Sequence, residues 1–409
     1  MLALASLHRN IKLRLVVSFL SVFVDNMIFP FMAMYLSRFF GSFRTGLFIF
    51  LTLLLSSSAS LLGGYLSDRF GRKSLLIGAQ LLLILSFAGM TWANSPWQTA
   101  PLVTLPMLLI EAAASGIRHP AEEAMLIDVS DSSNRRLMYS INYWSTNLGM
   151  AGGAVIGGLF FAHDLFYLFL ALFGSSLVIL VLILIFLEEV YQRPTKRREA
   201  PLHFLAHYRP VLRDHFFLLF CLGNCLVLSL EFQTTNAIAV HLQQNFATTR
   251  IAGITLTSYR MLSWMRIENT LLVVILAWVL AHLVHNLSLK NIFAIGLPIY
   301  VIGYAAQFVS SHFAGLSLAV LFATIGELIY VPASQTLLAS MTKQQARAAY
   351  MAIYGFVFQG AKFLGAAGIV CISAFSPLVT GLVMLLIGAC GLFCYLKVCA
   401  TQLQTRSKP

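Results

Sequence analysis

Four carboxylates stand inside long apolar runs of this 409-residue chain: Asp25, Glu111, Glu231 and Glu327. A charge in hydrocarbon is costly, so such residues face a bundle interior or a watered cavity and are functional candidates by default. The chemistry a carboxyl offers there is reversible proton binding: low dielectric favours its neutral form, a nearby cation favours its charged form, and a change of surroundings loads or releases a proton. Glu327 lies in Gly326-Glu327-Leu328-Ile329-Tyr330-Val331-Pro332, where an aromatic one turn on could line the same cavity. Lys362, in another apolar run, is the cation available to pair with it, and a structural salt bridge is the competing reading. Asp25 is followed by Asn26, and Glu231 is close to Gln233, Thr234, Thr235 and Asn236, a polar group that suggests a wet cavity. Asp128, with Arg135 and Arg136 nearby, reads as a solvated ion pair or gate at a cavity mouth.

A second constellation is the stretch Gly64 to Lys73, which crowds Asp68, Arg69, Arg72 and Lys73 beside a glycine turn between two apolar runs. A carboxylate there can pair with arginine or cap a neighbouring helix N-terminus, and an ordinary charged turn is the bland alternative. A third is the glycine run Gly149, Gly152, Gly153, Gly157 and Gly158, where small residues let helix backbones approach each other in lipid.

The elements that must hold these residues are membrane helices. Hydrophobic residues make up 59% of the chain and charged ones 10%, with a mean hydropathy of +0.82, outside the range of soluble proteins. Each apolar run has the roughly 20 residues that a helix needs to span the hydrocarbon, and alternating strand patterns are absent. Twelve spans are expected, at about 13–37, 45–66, 74–94, 102–124, 138–161, 165–187, 216–241, 262–285, 291–310, 313–336, 348–373 and 376–398. The segment Gln243 to Asn269 could extend the eighth as an amphipathic helix. Residues 1–187 form one six-helix half, 188–214 a basic linker and 215–409 the other half. A weak repeat supports the division: Pro120-Ala121 with Met125-Leu126 and Arg135 returns as Pro332-Ala333 with Leu337-Leu338 and Arg347.

With the amino terminus inside, 21 of the 27 Lys and Arg fall at the inner face, five outside and Lys362 within a span, which places both termini in the cytoplasm. The net charge of +12 therefore reports orientation rather than nucleic acid, for which no soluble module is long enough. The first helix reads as retained, since it has no small-residue cleavage site. The six cysteines lie in or beside apolar spans and read as packing residues, with no disulfide and no metal site expected.

The pattern Gly64-x-Leu66-x-Asp68-Arg69-x-Gly71-Arg72-Lys73 resembles the signature loop of major facilitator superfamily transporters. The resemblance implies the major facilitator fold, a central substrate site between the halves, and a role for this loop in locking the cytoplasmic side during alternating access. Gly149-x-x-x-Gly153-Ala154-x-x-Gly157-Gly158 is similar to the antiporter motif of drug exporters, with Ala154 where that motif has proline. Leu13-Arg14-Leu15, Ile127-Asp128, Tyr143-Trp144-x-x-Asn147-Leu148, Val240-His241-Leu242, Arg260-Met261-Leu262 and Gly326-Glu327 with Pro332 resemble, in order, the LmrP-like proton-coupled multidrug exporters. That resemblance implies that Asp68, Asp128 and Glu327 serve gating, proton transfer or cationic-ligand binding. Two acids of that pattern are replaced by Asn142 and Thr235, while Asp25 and Glu231 are additions.

The expectation is a secondary carrier in a cytoplasmic membrane, not an enzyme, that needs no cofactor and uses the proton gradient to export amphipathic or cationic compounds. Its partners are protons, a small-molecule substrate and the bilayer, and monomeric function is usual for the fold. Tyr139, Tyr143, Tyr330 and Tyr354 are expected to line the cavity, where ring faces suit cations. The alternative is a metabolite, sugar or lipid-linked substrate carrier of the same fold, working as a symporter.

Overall fold

The computed structural model describes residues 9–128, 135–189, 211–251, 253–342 and 347–406. A few side chains within these segments, those of Asp68, Asp128, Tyr139 and Tyr143 among them, lie outside the described set. The described chain is helical apart from one small hairpin. In order it forms α1 (Arg9–Ile28), a 3-10 turn (Phe29–Phe31), α2 (Met32–Phe40), α3 (Ser42–Phe70), α4 (Arg72–Ala93), α5 (Pro101–Asp128), α6 (Arg135–Phe160) and α7 (Leu165–Phe186). There follow α8 (His215–Glu231), α9 (Ala237–Asn245), β1 (Thr249–Ile251), β2 (Ile254–Leu256), α10 (Ser258–Val284), α11 (Leu289–Val309), α12 (Phe313–Met341), α13 (Arg347–Ala374) and α14 (Pro377–Arg406). Ten of the described segments are long and apolar enough to cross a membrane, and His215–Glu231 is a shorter apolar helix.

Three expected elements come out differently. The first span is interrupted at Phe29–Phe31, because Pro30 has no N–H to continue the helical ladder. The seventh is broken into α8 and α9 by turns over residues 232–236. There Asn236 turns its amide back to the Phe232 carbonyl at 2.7 Å, and short polar side chains of this kind compete with the helical bond pattern. The segment before the eighth span is in part a hairpin rather than a helix. Thr249 pairs with Leu256 and Ile251 with Ile254, Gly253 takes φ +82° in the turn, and the helix starts only at Ser258, where the Thr257 hydroxyl accepts the Arg260 N–H.

The chain divides into two compact units, Met1–Phe39 with Leu47–Arg197 and Phe40–Gly46 with Arg198–Pro409. In the first, α1, α4, α5 and α7 meet in an apolar cluster of Val17, Leu76, Ala121, Met125, Ile179, Ile183 and Leu187. A buried polar knot ties its other end: the Tyr35 hydroxyl donates to Asn94 Oδ1 at 2.8 Å, and Asn94 Nδ2 donates to Thr104 at 3.0 Å. The glycine run of α6 lies on α1. A Cβ at Gly153 would collide with the Phe23 carbonyl oxygen, one at Gly157 with that of Met27, and one at Gly149 would come within 3.2 Å of the Phe19 carbonyl oxygen. Only the absent side chains allow this approach, which fixes the backbone that carries Asp25.

In the second unit α11 and α12 make the same kind of contact. Gly303 abuts the backbone of Ala323, and Gly326 abuts the backbone of Tyr300. Tyr395 on α14 hydrogen bonds Ser334 at 2.8 Å and packs on Phe220 and Phe293, closing this core.

Candidate functional site

In the first unit α1 and α5 face each other with five charged groups. Glu122 is buried and receives both guanidinium nitrogens of Arg14, at 2.5 and 2.6 Å, while Arg118 Nε stands 3.6 Å from the same carboxylate. The i, i+4 spacing puts Arg118 and Glu122 on one face of α5. Two turns before Arg118 on that helix, Glu111 accepts the Ser115 hydroxyl at 2.7 Å and lies within electrostatic reach of Asp25 and Arg118. Asp25 and Arg118 both line a cavity enclosed by α1, α4, α5 and α7, together with Ser21, Gln80, Ser115, Ser175 and Ser176. Its free space takes about one water-sized sphere.

The charged turn between α3 and α4 is built into the same unit. Gly71 takes φ +92°, a conformation that side chains disfavour, and a Cβ there would come within 2.8 Å of Glu189. That carboxylate accepts the backbone N–H of Lys73 at 2.8 Å, which caps the start of α4. In return the Lys73 ammonium donates to the carbonyls of Leu184 and Leu187, at 3.1 and 2.8 Å, at the end of α7. Negative charge at a helix start and positive charge at a helix end both oppose the helix dipole, so the two caps support each other. Arg72 is buried and donates to the Ser67 hydroxyl at 2.7 Å, and the Arg69 guanidinium lies over Phe70. Asp68 and Asp128 belong to α3 and α5 by their backbones, and their side chains lie outside the described residues.

The second unit holds Glu231 at the end of α8, exposed beside the break, and Glu327 half-buried in α12. Gly326 explains the position of Glu327: it lets the α11 backbone close in, which sets the acid near Tyr300 and Tyr304. Tyr300 packs edge-on against Tyr330, with ring centres 4.9 Å apart, and all three tyrosines are buried. Asn269 of α10 bridges Thr324 at 2.9 Å and Glu327 Oε2 at 3.1 Å. Arg266, one turn before Asn269, lies within electrostatic reach of Glu231.

The expected pairing of Lys362 with Glu327 does not form. The Lys362 ammonium sits 4.6 Å from the centre of the Phe358 ring, one turn back on α13, and Glu327 is engaged by Asn269 instead. Tyr354 is bonded to Asn224 at 2.6 Å and stacked near Phe220. Arg118, Glu122 and Gln80 were not singled out by sequence, while Arg14 entered only through Leu13-Arg14-Leu15 and Arg266 and Asn269 only as part of the segment Gln243 to Asn269. Nothing local marks Arg14 and Glu122 as a buried pair, because the two partners are 108 residues apart. The i, i+4 spacing of Arg118 and Glu122 was the one local signal available.

A family model described as the Major Facilitator Superfamily matches residues 15–258, more than half of the chain. A Na(+), Li(+), K(+)/H(+) antiporter of Planococcus maritimus is 25% identical over 360 residues, covering 84% of this chain and 85% of the relative. The multidrug resistance protein MdtH of Yersinia enterocolitica is 27% identical over 329 residues, covering 79% and 75%. Among solved structures, the peptide transporter POT in complex with sulfate aligns with a TM-score of 0.73 at 16% identity, over 98% of this chain and 97% of that one. The nucleoside transporter NupG aligns with a TM-score of 0.71 at 12% identity, over 96% and 99%. These two structures speak for the fold, and the family model speaks for descent. A helical membrane fold with acids in its spans, matched in this way, makes the chain a transporter of the major facilitator superfamily.

Proposed function

We propose that this protein is a proton-coupled antiporter that exports amphipathic or cationic compounds by alternating access, without a cofactor. The observation that carries the reading is that each unit of an otherwise apolar chain keeps its own carboxylate group beside a cation or an amide: Asp25 and Glu111 with Arg118, and Glu231 and Glu327 with Arg266 and Asn269. Carboxyls in such surroundings change proton occupancy when a partner or water access changes. The relative named as a cation/H(+) antiporter favours exchange over symport, and the one named as a multidrug resistance protein favours an exported compound.

In this mechanism Glu327 and Asp25 carry the exchangeable protons, Glu231 and Glu111 tune them, and the buried tyrosines beside Glu327 offer ring edges and faces to a cationic substrate. The turn with Asp68, Arg69, Arg72 and Lys73, together with Asp128, controls closure at the cytoplasmic face, and Gly149, Gly153, Gly157 and Gly158 set the packing of α6. The chain is read as two six-helix halves, 1–187 and 215–409, joined by the connector 188–214, in a cell membrane with both termini in the cytoplasm. The skewed distribution of Lys and Arg supports that orientation.

The test uses the full chain in liposomes with an acid lumen, an alkaline bath and a pH dye inside. Adding a lipophilic cation to the bath is expected to drive its uptake and to raise the luminal pH together. Glu327→Gln should lower both rates by about tenfold or more, the loss of one specific proton-transfer group. Uptake by wild type with no proton efflux, or equal rates in Glu327→Gln, would sink the reading, and substrate moving in the same direction as protons would mean symport.

A further inference from the structure

We propose that the cavity of the first unit is a binding site for a small monovalent cation, Na+ or Li+, which exchanges with a proton at Asp25. The inference rests on the reading of Asp25 as a proton carrier and adds a second class of cargo. The donor set is the first argument. Two of the residues that line the cavity with Asp25 carry buried oxygens with no donor among the described residues: Ser21 Oγ and Gln80 Oε1, on residues 7% and 1% exposed. The Gln80 amide is held in place, since its Nε2 donates to the Ser176 carbonyl at 2.9 Å and to the Ser176 hydroxyl at 2.6 Å, which leaves Oε1 buried and unused. A carboxylate, an amide carbonyl and a hydroxyl form a hard oxygen set, suited to alkali and alkaline-earth ions rather than to metals that prefer nitrogen or sulfur.

Charge selects the valence. The described charged groups around Asp25 are Arg14 on α1 and Glu111, Arg118 and Glu122 on α5, with His119 beside Glu122, while α4 and α7 present Gln80 and serines at the cavity. Arg118 lines the same space, but it also stands 3.6 Å from Glu122, whose other partner is Arg14. Three carboxylates against two guanidiniums leave one negative charge when all are ionised. One proton or one monovalent ion neutralises it, whereas a divalent ion would leave an uncompensated positive charge in low dielectric. Size then excludes organic cations, because the space takes about one water-sized sphere. The balance is one for one: the Asp25 carboxylic acid takes up Na+ and releases H+, leaving the sodium carboxylate.

The experiment measures thermal unfolding of the purified full-length protein over a pH series from acid to pH 8 in NaCl, LiCl or choline chloride at equal ionic strength. Na+ or Li+ should raise Tm by about 2 °C or more over choline. The half-saturating concentration should fall about tenfold for each unit of rising pH while a proton still occupies the site, as competition requires. Asp25→Asn should abolish the response, and Ser21→Ala should raise the half-saturating concentration. If Asp25→Asn does not fold, the wild-type pH series and Ser21→Ala decide. Identical behaviour of Na+, Li+ and choline in wild type would mean that the cavity holds water only and would overturn the inference. A pH-independent response, or one that survives Asp25→Asn, would overturn it too. Proton exchange with a lipophilic cation is read separately in the liposome assay, so loss of the Na+ response with that exchange intact removes the ion site alone.

Discussion

Glu122 is the most tightly held acid described in the first unit, with both oxygens taken by Arg14 and Arg118 beside them. Burying the pair costs desolvation that the two-pronged geometry offsets, so the pair adds less to stability than its breakage removes. Glu122→Met is therefore expected to destabilise the protein by about 3–5 kcal/mol by stranding a buried guanidinium. Adding Arg14→Met should restore part of that loss, and thermal unfolding of the single and double variants measures the coupling. At this scale the sequence announced Asp25, Glu111, Glu231 and Glu327, since a charge in an apolar run is visible by contrast. It did not announce their partners. Lys362, near the middle of its span, was the natural choice for Glu327, yet it lies on Phe358, and a neutral amide from α10 takes the acid. Pairing depends on helix rotation and approach, which a run of apolar residues leaves undetermined.

Helix approach is set by glycine at two places that matter for the site. Glycine costs about 1 kcal/mol relative to alanine inside a helix, so the glycines of α6 need a compensating contact, and for Gly149, Gly153 and Gly157 the α1 backbone is that contact. Gly153→Val is expected to lose about 1–3 kcal/mol through overpacking against the Phe23 carbonyl and Asn26, despite the better helix propensity of the new residue. The check is the unfolding temperature, together with transport of the lipophilic cation, since the displaced backbone carries Asp25. Helix positions were legible because twenty apolar residues in a row admit few other structures. The interruptions were less so. Residues 232–236 are polar enough to suggest water but look no different, as a string, from a polar helix face, and the break between α8 and α9 came from their local hydrogen bonds. The reciprocal caps of Lys73 and Glu189 were likewise hidden, because the turn and the end of α7 lie more than a hundred residues apart.

For the whole molecule, the distribution of Lys and Arg makes a topological prediction. In a background with the six native cysteines replaced, Trp97→Cys, in the exposed turn after α4, should react with an impermeant thiol reagent in intact cells. Leu287→Cys, in the turn before α11, should react only after permeabilisation. The opposite pattern would invert the orientation and with it the proposed direction of export. By itself the sequence determined the class of molecule: a helical membrane protein, its approximate spans, its signature turn and the acids that must be shielded from lipid, because transfer of charge and backbone into hydrocarbon is too costly to leave alternatives. The tertiary structure decided which groups act together. It joined Arg14 and Arg118 to Glu122, put Asp25 with Ser21 and Gln80 around one small cavity, gave Glu327 an amide in place of a lysine, and broke the seventh helix. These outcomes depend on close contacts between distant segments, and such contacts come from shape and packing rather than from hydropathy along the chain.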